Sequence, residues 1–312
     1  MDKGEFLKNK LELNFYCSIF IVIVYSLLIK LSPFIFSILN FFPLLFVGLL
    51  LNFSSLIICF LSSIIILFLS FNFLIDNSNL NTNFLISHII FSFGFSLFFL
   101  GLLKFKRKTE DDLGNVLSVF LLISSSILIY VFVFLISDQL KLFFSEIKIQ
   151  YYSILQKSNI ENQKSVDELF TLFFNIFPSL NFLFFFFIML FNLFLAQSLV
   201  RVSKLSMITL INYNKFEISN WYLYLFLLSN LGILFSINQV NIFFINFSIS
   251  LSLIFILKGI LISKQAIKKI KQPNFLKYFI LFFLFFFLGY FLLLYFFFIG
   301  IVDKIKKIYY KK

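Results

Sequence analysis

The stretch FLFFFFIMLFNLFL at residues 182–195 decides the fold of this chain. Apart from Asn192 every side chain in it is apolar, so no face alternates with another. A membrane-barrel strand alternates apolar and polar positions over about ten residues and is excluded. Within lipid the remaining way to satisfy the backbone is an α-helix. Followed outward, the apolar run covers about 176–200, close to the roughly 20 residues of a bilayer-spanning helix.

Comparable runs lie at about 14–31, 34–52, 55–75, 83–103, 116–137, 219–237, 241–263 and 276–302. The predicted fold class is all-α, a polytopic transmembrane helix bundle of eight to nine helices, forming a single integral membrane domain over residues 1–312. With 61% hydrophobic and 13% charged residues and a mean hydropathy of +1.02, the chain lies far outside the soluble range. Its 54 Phe residues, abundant Ile, Asn and Lys, and Ala only at Ala196 and Ala266 match an AT-rich genome. Phe here replaces Leu as a lipid-facing residue rather than marking a ligand cage.

The net charge of +12 is dispersed over the joints between runs and never forms a basic stripe with interleaved aromatics, which argues against nucleic acid. Positive-inside topology accounts for it. Lys3, Lys8 and Lys10, then Lys104, Lys106, Arg107 and Lys108, then Arg201, Lys204 and Lys215, then Lys264, Lys268, Lys269 and Lys271 mark alternate joints as cytoplasmic, with the N-terminus inside. The expected location is a bacterial inner membrane, with 14–31 as an uncleaved anchor. Cys17 and Cys59 fall inside apolar runs and act as small hydrophobes, so neither a disulfide nor a metal site is expected.

One polar insert, Asp138 to Asn175, is slightly acidic and belongs outside. Leu140, Phe144, Ile147, Tyr151 and Ile154 recur in it at helical spacing, predicting an amphipathic helix on the outer surface or capping the bundle. Ser165 with Glu168 resembles a capping box leading into the run at 176–200. The last run breaks the charge alternation: a single crossing puts Lys304, Lys306, Lys307, Lys311 and Lys312 outside. A re-entrant hairpin bending near Gly289 would return them. Two full crossings would need roughly 40 residues.

Buried carboxylates, the usual markers of proton coupling, are missing from the runs, because every Asp and Glu falls in a joint or terminus. Lys258, near the inner end of the run at 241–263, is the plausible exception among ionisable residues in the membrane; it either snorkels toward headgroups or contacts a solute. His88, Ser92 and Ser96 stack at four-residue spacing beside Ser87, a stripe suited to a hydroxylated or anionic ligand or to helix packing. Asn181, Asn192 and Asn230 are further candidates for a solute cavity or a polar network, as are Asn246 and the triplet Ser124 to Ser126. Pro43 and Pro178 can break helices and turn irregular backbone into a cavity wall. No phosphate loop, HExxH, CxxC or GxSxG occurs. No enzyme activity and no cofactor are expected.

Several short motifs fall in a suggestive order. They are Asn40 to Leu49 with its PLxxxGL-like core, Phe177-Pro178 after the insert, Leu199-Val200-Arg201, Phe255 to Ile260, and the terminal Gly300-Ile301-Val302-Asp303. Together they resemble the YybS-like family of bacterial multi-pass membrane proteins over nearly the whole chain. That family is distantly similar to the substrate-capturing subunits of energy-coupling-factor transporters. The resemblance implies a transporter-subunit-like bundle at about 14–201, with further helices beyond. It also implies a bound small solute and an ATPase or other membrane-protein partner. Two positions depart from the pattern: Ile19 to Val24 is bulky where a docking helix carries small residues, and Lys258 stands where relatives carry Gln. The alternative is a scaffold or envelope-biogenesis factor that binds no ligand and holds partners through the insert and the basic joints.

Overall fold

The computed structural model describes residues 3–75, 82–105, 113–157, 163–203, 216–269 and 274–310. No strand occurs among them. In order they form α1 (Lys3–Leu31), α2 (Pro33–Leu39), α3 (Phe42–Leu50), α4 (Phe53–Ile75), α5 (Thr82–Phe105) and α6 (Leu113–Tyr130). A π-helical turn (Val131–Leu135) follows, then α7 (Ser137–Lys157), α8 (Gln163–Val202), α9 (Asn220–Phe235), α10 (Asn238–Lys268) and α11 (Asn274–Tyr310). The basic joints at 106–108, 204–215 and 270–273 and the residues Lys311 and Lys312 lie outside the described residues.

The helical membrane bundle expected from the apolar runs is the architecture observed. Five stretches are long and apolar enough to cross a bilayer among the described residues: Glu12–Lys30, His88–Phe105, Leu113–Leu135, Val166–Val202 and Asn238–Ile267. Only 33% to 56% of each stretch is buried, so much of this apolar sequence faces outward. Water would not tolerate such a surface, whereas lipid does.

Two open readings are resolved and one expectation is corrected. The run at 34–52 is two short helices, α2 and α3, broken at Asn40 and Phe41. Pro43 near the start of α3 lacks the N–H that would continue the ladder. The last run is not a hairpin: α11 continues through Gly289 without interruption. One glycine costs a helix only about 1 kcal/mol and does not break it. The proposed capping box fails because α8 already begins at Gln163, which puts Ser165 inside the first turn.

The described helices fall into two compact units. The first comprises Met1–Glu110 with Phe185–Asn212 and so holds α1 to α5 and the later part of α8. Here α1 lies along α4 through small polar groups: the Ser18 hydroxyl donates to the Asn14 carbonyl at 2.8 Å and lies 2.6 Å from that of Ser62. Both cysteines are free thiols. Lys104 in the last turn of α5 donates its ammonium to the Leu51 carbonyl, capping the end of α3.

The second unit comprises Asp111–Phe184 with Tyr213–Lys312. The helices α10 and α11 meet backbone to backbone at two glycines. A Cβ on Gly259 would lie 1.9 Å from the Phe296 carbonyl oxygen, and one on Gly300 would lie 2.0 Å from that of Phe255. In α8, Pro178 removes one helix hydrogen bond, and the buried Asn246 amide enters the ladder beside it. Its Oδ1 accepts from the Ser179 N–H at 2.8 Å, and its Nδ2 donates to the Asn175 carbonyl at 2.6 Å. Those two backbone groups are normal i→i−4 partners, so one side chain from α10 bridges the bond at the proline.

The predicted amphipathic face of α7 docks on the start of α8. The Phe144 ring is 5.7 Å from Phe174 and 5.2 Å from Phe177, and Tyr151 is 5.9 Å from Phe170. Asp167 accepts from the Tyr152 hydroxyl at 2.5 Å and pairs with Lys148. That carboxylate holds the Lys148 ammonium above the usual lysine range.

Candidate functional site

The break between α2 and α3 leaves carbonyls without helical partners in a region from which lipid excludes water. Two side chains take them. The Tyr25 hydroxyl, from α1, donates to the Asn40 carbonyl at 2.5 Å. The Asn192 amide, from α8, donates to the Ile38 carbonyl at 2.6 Å and to Ile188 in its own helix at 2.7 Å. Ser92 on α5 lies 2.8 Å from the Tyr25 oxygen. Because Tyr25 spends its only hydrogen on Asn40, Ser92 is the donor in that contact, sharing its hydrogen with the Ile89 carbonyl at 3.0 Å. The order is therefore Ser92 to Tyr25 to the Asn40 carbonyl.

Around this chain three polar side chains keep unused capacity. Asn40 is fully buried and neither end of its amide has a hydrogen-bond partner among the described residues; the Ser96 hydroxyl and the Asn192 Oδ1 are in the same state. Buried polar groups are nearly always paired, and each unpaired one costs about 1–3 kcal/mol. Aromatic rings stand beside them. Phe41 contacts Phe91 and Phe95, Phe185 lies 4.7 Å from Phe91, and the half-buried His88 ring lies 6.3 Å from Phe36 and 5.9 Å from Phe185.

Of the sequence candidates, Ser92, Ser96 and Asn192 thus belong with Tyr25 and Asn40 in the first unit, and His88 stands at their aromatic border. Asn230 is in the second unit and spends its amide within α9, on the Phe226 carbonyl. Asn181 is half-buried on α8, in the second unit, and joins neither network among the described contacts. Tyr25 and Asn40 were missed as polar candidates. The available signals were a tyrosine following the aliphatic stretch Ile21 to Val24 and an amide three residues before Pro43.

Lys258 belongs to a separate ionic network in the second unit. Its ammonium donates to the Phe216 carbonyl at 2.5 Å and lies 3.8 Å from Asp303, with its side chain only 12% exposed. Lys304, 7% exposed, donates to the Ile218 carbonyl and, at 2.5 Å, to Asn220 Oδ1. Lys307 bridges Glu217 at 2.7 Å and Asp303 at 3.7 Å. Partial burial works against the Lys307 ammonium, but the Glu217 hydrogen bond and the two nearby carboxylates outweigh it and raise its pKa.

The extended strap Phe216–Ser219 is therefore held by lysines from two helices. It is also pressed against α6, where a Cβ on Gly114 would lie 1.7 Å from the Glu217 carbonyl oxygen. Asp303, read from sequence as a terminal charge, sits within α11 at this network. The segments Phe255 to Ile260 and Gly300 to Asp303, two of the motifs that carry the family resemblance, meet here. The described residues contain no group of three or more His, Cys, Asp or Glu able to hold a metal ion.

A family model described as "Predicted membrane protein (DUF2232)" matches residues 18–304. No curated protein and no solved structure matches the chain.

Proposed function

The chain belongs to the DUF2232 family of predicted membrane proteins, and from that premise we propose that it is a solute-binding, transport-type subunit whose ligand enters the polar cluster of the first unit. The observation that carries this reading is the fully buried Asn40 amide, unpartnered at both ends beside Ser96 and the Asn192 oxygen. A structural role alone would leave these groups costing stability, and a bound solute with donors and acceptors offsets that cost. The surroundings suit a neutral, hydrogen-bonding molecule, because the cluster carries amides, hydroxyls and aromatic rings and no carboxylate.

The resemblance to YybS-like proteins, and more distantly to energy-coupling-factor capture subunits, supports the same reading. On it the protein lies in a bacterial inner membrane with its N-terminus in the cytoplasm, has no enzyme activity of its own, and works with a separate ATPase. A thermal-shift screen of the purified protein against vitamins, nucleobases and other small solutes tests the reading, because a ligand of the native state raises its melting temperature by mass action. Silence across the panel would sink it.

One observation favours a second reading, a scaffold or envelope-biogenesis factor. The helix α7 leaves Leu142, Phe143 and Ile149 more than half exposed on the side away from its α8 contacts. Crosslinking from these positions in cells should trap a protein partner under that reading, and recovery of lipid alone would count against it.

A further inference from the structure

Three backbone irregularities of the second unit border one cleft of about 240 Å³. The π-helical turn contributes Phe132 and Val133; its extra residue is marked by the Ile136 N–H reaching back five residues to Val131. Pro178 interrupts α8. Asn238 starts α10 at φ 54°, a left-handed conformation that costs a non-glycine residue about 1 kcal/mol or more. Irregular helices and strained residues gather at ligand sites because regular packing would remove them.

The lining separates by chemistry. Val133 and Pro178 are buried and Phe132, Phe174 and Ile242 half-buried, whereas Lys141, Asn238 and Gln239 are exposed. The cleft therefore has an apolar floor and a rim of amides and one ammonium. It lies where α6 ends and the amphipathic α7 begins, at the border between apolar and polar sequence. Lys141 pairs with Asp138 at 3.0 Å, but the two side chains are 58% and 90% exposed. A pair this exposed is worth little and exchanges readily for another anion.

We infer that this cleft is a binding site for an anionic phospholipid, with acyl chain against Phe132, Val133, Phe174 and Ile242 and the phosphate at Lys141, Asn238 and Gln239. The phosphate replaces Asp138 as the partner of Lys141. The two amides supply further donors at headgroup level. The site is independent of the solute reading, since it shares no residue with the Asn40 cluster.

The test uses the full chain in detergent, stripped of endogenous lipid and titrated with dioleoylphosphatidylglycerol or dioleoylphosphatidylcholine under native mass spectrometry. The chain should retain the anionic lipid about fivefold better, the preference one lysine near a membrane surface confers. Lys141→Gln, at an exposed position, should bring the ratio close to one. Ile242→Trp, which fills the floor, should reduce retention of both lipids while circular dichroism shows helicity unchanged. Equal retention of the two lipids by the native chain would overturn the assignment. So would a preference that survives Lys141→Gln, or unchanged retention by a folded Ile242→Trp.

Discussion

The Tyr25 hydroxyl donates to the Asn40 carbonyl at 2.5 Å across a helix break that lipid could not otherwise accommodate. Tyr25→Phe keeps the ring packing and removes the donor, leaving the carbonyl unpaired. The melting temperature in detergent should fall by an amount equivalent to about 1–3 kcal/mol. An unchanged melt would show that the break is held by other contacts.

Asn40 itself should behave in the opposite way. Replacing an unpartnered buried amide with an apolar group of similar shape removes a desolvation cost, so Asn40→Leu should raise the melting temperature by the equivalent of about 1 kcal/mol or more. The same variant should lose any solute-induced shift the native chain shows. A variant that is less stable and still binds would remove the amide from the proposed site.

The close approaches at Gly114, Gly259 and Gly300 predict a sharp contrast with Gly94, where an added Cβ meets nothing within 4 Å. Gly94→Ala should be neutral or stabilise α5 by about 0.5–1 kcal/mol. Alanine at any of the other three must push backbone away from backbone, with losses of about 1–3 kcal/mol or more. Folded yield after extraction and thermal melts of the four variants would decide. Equal behaviour of all four would mean that the contacts are not this tight.

Much of the fold was legible because the bilayer asks only for length and apolarity. The run containing Asn192 met that demand plainly, and Pro43 and Pro178 correctly marked irregular backbone. What was illegible depends on partners distant in sequence. Nothing local in α10 says that Asn246 will enter the α8 ladder at Pro178, and the π-helical turn has no residue signature at Val131–Leu135. The charges near the end of α11 were read as topology markers because sequence shows their sign but not their burial. Lys304 becomes buried only through Ile218 and Asn220. The polar stripe on α5 was visible as a pattern, but its focus at Asn40 required the break between α2 and α3.

The bridge at Pro178 gives a two-variant experiment. Asn246→Leu should cost about 1–3 kcal/mol, because it strips a donor and an acceptor from the backbone at the proline. In Pro178→Ala the ladder can close by itself, so Asn246→Leu added to that background should cost less. Additive losses in the double variant would mean that Asn246 does not act through the interrupted ladder.

Lys307 makes a prediction about pH. Its folded pKa is raised, so its contribution is fully present below the ordinary lysine value of about 10.4 and is lost only as pH rises through the elevated one. The difference in melting temperature between the native chain and Lys307→Met should therefore stay constant from about pH 6 to 9. It should narrow only in stronger alkali. Narrowing within that range would assign the effect to another group.

The split of one run into α2 and α3 also bears on how the protein is made. At about 1.5 Å per residue neither piece is long enough to lodge across a bilayer by itself. The Ile38 carbonyl finds its partner in Asn192, 154 residues later. At about 5–20 residues per second the ribosome needs about 8–30 s to supply that amide. Nascent chains stalled short of α8 should therefore hold this run loosely, open to extraction or protease, and acquire a settled second crossing only once Asn192 has been synthesised.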